Sequence, residues 1–122
     1  AKLIGAEPLE LIFTSGGSEA NNLALKGVAN DFSSRRGILV SAVEHPSVLK
    51  TVEYLRGRGF FVQMIRVDRS GRVDFDHLAS LLDENTLLVS VMAANNETGH
   101  IFPVRQVTEM AHKVGALMHC DA

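Results

Sequence analysis

The feature that most limits how this chain can fold is an alternation: short, nearly unbroken apolar runs are separated by segments whose apolar residues recur at helical spacing. The runs cover residues 9–14, 37–43, 60–67, 86–93 and 116–121. A run such as TLLVSVMAA, apolar at successive positions instead of every second one, suits a strand covered on both faces. Between the runs, Ala20, Leu23, Ala24, Gly27 and Val28 make one helical stripe at i, i+3, i+4, i+7 and i+8. A second helix is expected from Pro46 to about Arg58, aligning Val48, Val52 and Leu55 and stopping at Gly59. A third carries Phe75, Leu78, Ala79 and Leu82 behind a capping Asp74. A fourth follows Pro103, with Val104, Val107, Ala111 and Val114 on one side before Gly115. Strands joined through helices of this length predict an α/β fold with a mostly parallel sheet flanked by helices.

In such a sheet, sites form beyond the carboxyl ends of the strands. The residues to read are therefore 15–18, Glu44 and His45, residues 95–97, and Asp121. In SGGSEANN, Gly16 and Gly17 let backbone amides approach an anion. Ser18 offers a hydroxyl and caps a helix whose free N–H groups favour a phosphate. The stretch is neither a nucleotide P-loop nor a dinucleotide fingerprint, and a plain Gly-rich turn with a Ser cap explains it equally well. In VEHPSV, His45 precedes a proline-started helix. It is either a cap or an imidazole placed to stack on a planar ligand, a side-chain type whose unperturbed pKa of about 6.5 suits proton transfer. AANNETG supplies uncharged amide donors, and Asn95 also fits an Asx turn. Asp121 is either a cap for the next helix or a carboxylate that holds a heteroaromatic nitrogen protonated. A phosphate cradle, a stacking His, an amide donor and a nitrogen-facing Asp together fit pyridoxal 5'-phosphate, whose ring nitrogen must be protonated to accept electrons.

Composition narrows the partners. A net charge of -2 over 122 residues gives no electrostatic reason to expect nucleic acid or an anionic membrane. No apolar stretch approaches the ~20 residues of a spanning helix. Cys120 is the single cysteine, so an internal disulfide is impossible. A reducing compartment is expected, by default the cytoplasm. The sequence ends on LMHCDA, at the tip of an expected buried strand, which predicts a fragment of a longer protein.

Four blocks in order carry a resemblance. IFTSGGSEANNLALKG resembles the FTSGATESNNLAIKG stretch of cysteine desulfurases, which are class V aminotransferases of the fold-type I pyridoxal-phosphate enzymes. VEHPSVL, LVSVMAANNETG and HCDA are similar to the next three blocks of that family, so the resemblance covers nearly the whole chain. It implies that residues 1–122 are a fragment of the cofactor-binding large domain, without the imine lysine and the C-terminal small domain. It also implies that Gly17 and Ser18 hold the cofactor phosphate, with Ser18 standing where many members have Thr. His45 stacks on the ring and helps move protons, Asn96 contacts the phenolic oxygen, and Asp121 pairs with the ring nitrogen. The implied reaction takes sulfur from L-cysteine, giving L-alanine and an enzyme persulfide for an iron–sulfur scaffold or another sulfur acceptor protein. The whole enzyme is then a homodimer.

The family's imine lysine stands in a Ser-x-His-Lys context and its attacking cysteine on a mobile loop, and neither pattern occurs in this sequence. The chain alone is therefore expected to be inactive. Strand alternation turns Cys120 away from Asp121 and suggests a small core residue. His77 and His112 lack partners at metal spacing, no zinc arrangement is visible, and His119, two residues before Asp121, falls on the same strand face. His100 follows the NNETG loop without a fixed direction. Met64, Met92, Met110 and Met118 read as core, and the RGRGFF and SSRR stretches as solvated faces or turns. A selenocysteine lyase or another class V lyase or aminotransferase is the close alternative. A non-catalytic α/β scaffold module is the alternative of another class.

Overall fold

The computed structural model describes residues 1–31, 34–68 and 70–122, with the backbone alone for Lys2 and Asp31. Four strands, β1 (Gly37–Ser41), β2 (Phe61–Ile65), β3 (Thr86–Ser90) and β4 (Leu117–His119), form one sheet in the order β2-β1-β3-β4. All three pairings are parallel. The helices are α1 (Gly17–Asp31), α2 (Pro46–Arg56), α3 (Phe75–Leu81) and α4 (Val104–Lys113). Chain order reverses between β1 and β3, so the crevice beyond their carboxyl ends is the switch point where open α/β sheets bind ligands.

The two central strands are buried at every position, as their unbroken apolar runs require. Ile38, Val40 and Leu88 face a cluster with Leu25 and Ala29 of α1 and Val48, Val52 and Leu55 of α2. Leu39 and Val89 face the other way, onto Leu78 of α3 and Val107 and Ala111 of α4. Each such Val, Leu or Ile side chain contributes roughly 1.5–3 kcal/mol by leaving water. β1 also passes close to its neighbour at its first residue, where a side chain would be tight. A Cβ on Gly37 would lie 3.1 Å from both the Asn85 carbonyl oxygen and the Thr86 Cα.

The helix signals are realised within a few residues. Asp74 Oδ1 accepts the His77 N–H at 2.9 Å and caps α3, while Gly115, at φ 72°, closes the turn after α4. Arg35, in the SSRR stretch, is a clamp and not a solvated face. Its Nη1 donates to the carbonyls of Thr86, Val114 and Gly115. Ser33 of the SSRR stretch lies outside the described residues.

Four expectations are corrected. The run 9–14 makes no strand: a 3₁₀ turn occupies Pro8–Glu10, and Leu9 and Phe13 are 98% and 96% exposed. A strand needs a ladder partner, and none of the described residues provides one. The stripe on α1 is rotated by one residue, because Asn21, Leu25 and Ala29 are buried while Leu23, Ala24 and Gly27 are exposed. Met64 is exposed because β2 is an edge strand. Cys120 is exposed too, since it follows β4 at the other edge, beyond which none of the described residues forms a further strand. Its thiol is still crowded enough that burial, above all, pushes its pKa up.

Candidate functional site

The switch-point crevice is assembled from the start of α1, the loop after β1 and the ends of β3 and β4. Because α1 begins at Gly17, the N–H groups of Gly17, Ser18 and Glu19 precede the first intrahelical partner and leave the helix start open to an anion. The cap position belongs to Gly16, whose carbonyl accepts from Ala20 N at 3.1 Å. Ser18, expected as the cap, is instead the second helical residue and is exposed. A Cβ on Gly16 or Gly17 would meet nothing within 4 Å, so the approach to these amides is open. Glu19 folds back to accept from Ser15 Oγ at 2.5 Å and Ser15 N at 2.7 Å, and these bonds hold its carboxyl below the usual range.

His45 fills the capping role of its plainer reading. Its Nδ1 accepts the Ser47 N–H at 3.1 Å and lies 2.8 Å from Ser47 Oγ. A backbone N–H can only donate, so Nδ1 is the bare nitrogen and the neutral ring carries its proton on Nε2. The cap thereby fixes the tautomer and the ring plane.

The residue that joins these parts is Asn21, 4% exposed and one turn into α1. Its Nδ2 donates to Ser47 Oγ and to Asp121 Oδ2, each at 3.0 Å. Its Oδ1 lies 3.2 Å from His119 Nε2, and His119 Nδ1 lies 2.9 Å from Ser90 Oγ. An amide oxygen only accepts, so His119 Nε2 carries a proton and Ser90 donates to Nδ1. Burial lowers the His119 pKa, opposed by the Asp121 charge, which agrees with a neutral ring in this arrangement. Asp121 is thus held at one carboxylate oxygen by Asn21, and its backbone carbonyl accepts Ala93 N at 2.8 Å. The second carboxylate oxygen takes no hydrogen bond from the described residues.

Glu44 binds the same crevice from beneath. Its Oε1 accepts from Ser41 Oγ at 2.5 Å and from Met92 N at 2.7 Å, tying the tip of β1 to the segment after β3.

Of the residues singled out from the sequence, Gly17 and Ser18 share the first turn of α1 with Asn21, Asp121 accepts from it directly, and His45 is joined to it through Ser47. Asn96 is not linked to them. It is exposed on a turn built by Asn95, whose Oδ1 accepts from Thr98 N at 2.9 Å and Glu97 N at 3.0 Å. Among the described residues, no hydrogen bond fixes the Asn96 amide. His119 joins the network as its strand face suggested. His100 turns elsewhere, edge-on to Phe102 with centroids 5.2 Å apart. His77 accepts the Arg66 N–H instead. Asn21, Ser47 and Ser90 escaped the sequence reading. The one available signal was an Asn pair inside a helix, where that residue type is favoured only when its side chain has other work. Among the described residues, no three His, Cys, Asp or Glu side chains group as metal ligands, and no helix is long and apolar enough to cross a membrane.

These residues fit pyridoxal phosphate. The open helix start suits the phosphate, the fixed imidazole plane suits the ring, and a carboxylate with one oxygen anchored and one open suits the ring nitrogen.

The profile of the aminotransferase class-V family matches residues 1–122. The chain is 41% identical over 122 residues to the cysteine desulfurase NifS of Azotobacter vinelandii, covering 99% of this chain and 30% of that protein. It therefore spans less than a third of the length of this curated relative. The solved structure of a NifS-like protein superposes with a TM-score of 0.94 at 44% identity, over 99% of this chain and 34% of the other. A structure described as SspA in complex with cysteine superposes with a TM-score of 0.91 at 33% identity, over 99% of this chain and 35% of the other.

Proposed function

We propose that this chain, which belongs to the aminotransferase class-V family, is the cofactor-binding part of a pyridoxal-phosphate-dependent cysteine desulfurase. The observation that carries the reading is the Asn21 node, where one buried amide ties the cap of His45 to the carboxylate of Asp121 beside an open helix start. The names of the relatives support the activity, and the cysteine in the SspA structure supports the substrate.

When bound, pyridoxal phosphate supplies an electron sink for a substrate carbanion. The chain's own residues prepare that chemistry. Gly17 and Ser18 offer backbone N–H groups to the phosphate, where the helix dipole adds ~0.3–2 kcal/mol. Asp121 accepts the N–H of the ring nitrogen and keeps it charged, while Asn21 stops the carboxylate from turning away. His45 presents its ring face, and with Nδ1 committed to Ser47 it holds its movable proton at Nε2. Asn96, on its exposed turn, is left to the phenolic oxygen. The product sulfur passes as a persulfide to an iron–sulfur scaffold or another acceptor protein. The full enzyme is a homodimer in the cytoplasm, and its lysine and attacking cysteine come from outside these residues.

The test uses the full-length protein loaded with pyridoxal phosphate, with alanine release from L-cysteine and from L-selenocysteine measured side by side. Alanine with a persulfide from cysteine is the expected result. Turnover of selenocysteine alone would favour a selenocysteine lyase, and turnover of neither would favour another class V reaction or a scaffold. Asp121→Ala should weaken cofactor binding far more than His112→Ala, and equal losses would remove Asp121 from the site.

A further inference from the structure

Glu44 is the only ionisable side chain in the buried set among the described residues, at 4% exposure. Its Oε1 takes two short hydrogen bonds, whereas its Oε2 is closed to solvent and has no partner. A carboxylate spreads its charge over both oxygens, so a charged Glu44 would leave half of that charge unsolvated in the core. The neutral acid avoids this cost. With the proton on Oε1, the Ser41 hydroxyl turns round to accept it, Met92 N still donates, and Oε2 remains a neutral carbonyl oxygen. Because Oε2 is already closed off, a further segment could reach it only by rearranging the crevice.

Building on the proposed cofactor site, we propose that Glu44 is a positioning residue: as a neutral acid it clips the tip of β1 to the segment after β3. It so holds His45 and Asp121 across the switch point without adding a second negative charge beside Asp121. The neighbouring ionisable groups are Asp121 and Cys120 after β4, His119 on β4, and His45 next along the chain. Asp121 supplies the charge that acts on Glu44, and no Lys or Arg offsets it among the described residues. Burial pushes the Glu44 pKa up and the Asp121 charge adds to this, while the Ser41 and Met92 bonds pull the other way without reversing it. An ionised Glu44 would repel the Asp121 charge that the ring nitrogen needs.

The experiment takes the full-length protein and its Glu44→Gln and Glu44→Ala variants. Infrared difference spectra of the cofactor-free proteins at neutral pH should show the carbonyl band of a protonated carboxyl that Glu44→Gln removes. Pyridoxal phosphate titrations should show Glu44→Ala binding about tenfold more weakly, as loss of both clip bonds implies, with Glu44→Gln restoring affinity to within about threefold. The proposal is overturned if the band survives in Glu44→Gln, or if, with the parent binding pyridoxal phosphate tightly, Gln binds as poorly as Ala or Ala binds like the parent. Should Glu44→Ala fail to fold, the band and the Gln titration still decide. The infrared arm needs no cofactor. Failure of the cofactor reading would appear as weak binding by every variant, parent included, with the band unaffected.

Discussion

Replacing Asn21 tests the centre of the site, because two substitutions there should order themselves differently under competing explanations. Asn21→Ala removes one hydrogen bond to a carboxylate and two to neutral partners. At ~1.5–3 kcal/mol for the first and ~0.5–1.5 for each of the others, less what water recovers around half-buried Asp121, the loss is roughly 3 kcal/mol. Asn21→Asp keeps the shape but sets a carboxylate about 3 Å from Asp121 Oδ2, where the amide nitrogen stood. Two such charges at an effective dielectric of 20 repel by roughly 5 kcal/mol, so one of them takes up a proton instead. If Asn21 only fills space, the isosteric Asp is the milder change. If it is the donor that anchors Asp121, Asp is worse than Ala at neutral pH and recovers as the pH falls.

Urea denaturation of the cofactor-free full-length protein at pH 5 and pH 8 reads the stability side, and pyridoxal phosphate titration reads the positioning side. The expected order at pH 8 is parent, then Ala, then Asp, with the gap between Ala and Asp narrowing at pH 5. An Asp variant as stable as the parent at pH 8, or consistently milder than Ala, would refute the donor role and with it the node on which the site is built.

Two further outcomes rest on packing and titration. Leu25→Ala, at a position 1% exposed, should cost ~2–5 kcal/mol, whereas Leu23→Ala, at 48% exposure, should cost under ~1; equal losses in chemical denaturation would restore the sequence-derived phase of α1. Burial lowers the folded-state pKa of His119, so the unfolded chain binds the extra proton and stability falls as the pH drops from 6.5 through the folded value. His119→Gln should flatten that part of the stability–pH curve, and an unchanged slope would exclude His119 as its source.

The fold was largely legible because burial on both faces writes itself as unbroken apolar runs. That signal is strongest where neighbours exist on both sides, as at β1 and β3, and it misleads where they do not. Residues 9–14 have the composition of a strand, but composition cannot report a missing ladder partner. Cys120 and Met64 failed for the same reason, since edge position belongs to topology and not to local pattern. Of the site, His45 and Asp121 were legible because they follow β1 and β4, where the sheet dictates where to look. His45 satisfied both of its candidate readings: the cap that would have dismissed it is what fixes its tautomer. The linking residues were not legible. Asn21 reaches Asp121 across a separation of 100 residues, and nothing in a helical stripe marks one Asn of a pair as the buried one.

The one-residue rotation of α1 explains why fold and site come together. Asn21, Leu25 and Ala29 stand at i, i+4 and i+8 and form the buried face. Leu25 and Ala29 pack into the cluster shared with α2 and β1, which sets the rotation of the helix about its axis. Once that rotation is set, Asn21 has one direction to point, and it meets Ser47, Asp121 and His119. The stripe expected from Ala20, Leu23 and Ala24 would instead have turned Asn21 to the flank of the helix, away from Asp121 and the cap of His45. The apolar packing of two side chains therefore aims the polar residue that assembles the site. A cavity at Leu25 should loosen Asp121 as well as the core, because Asn21 on the same helix face anchors that carboxylate.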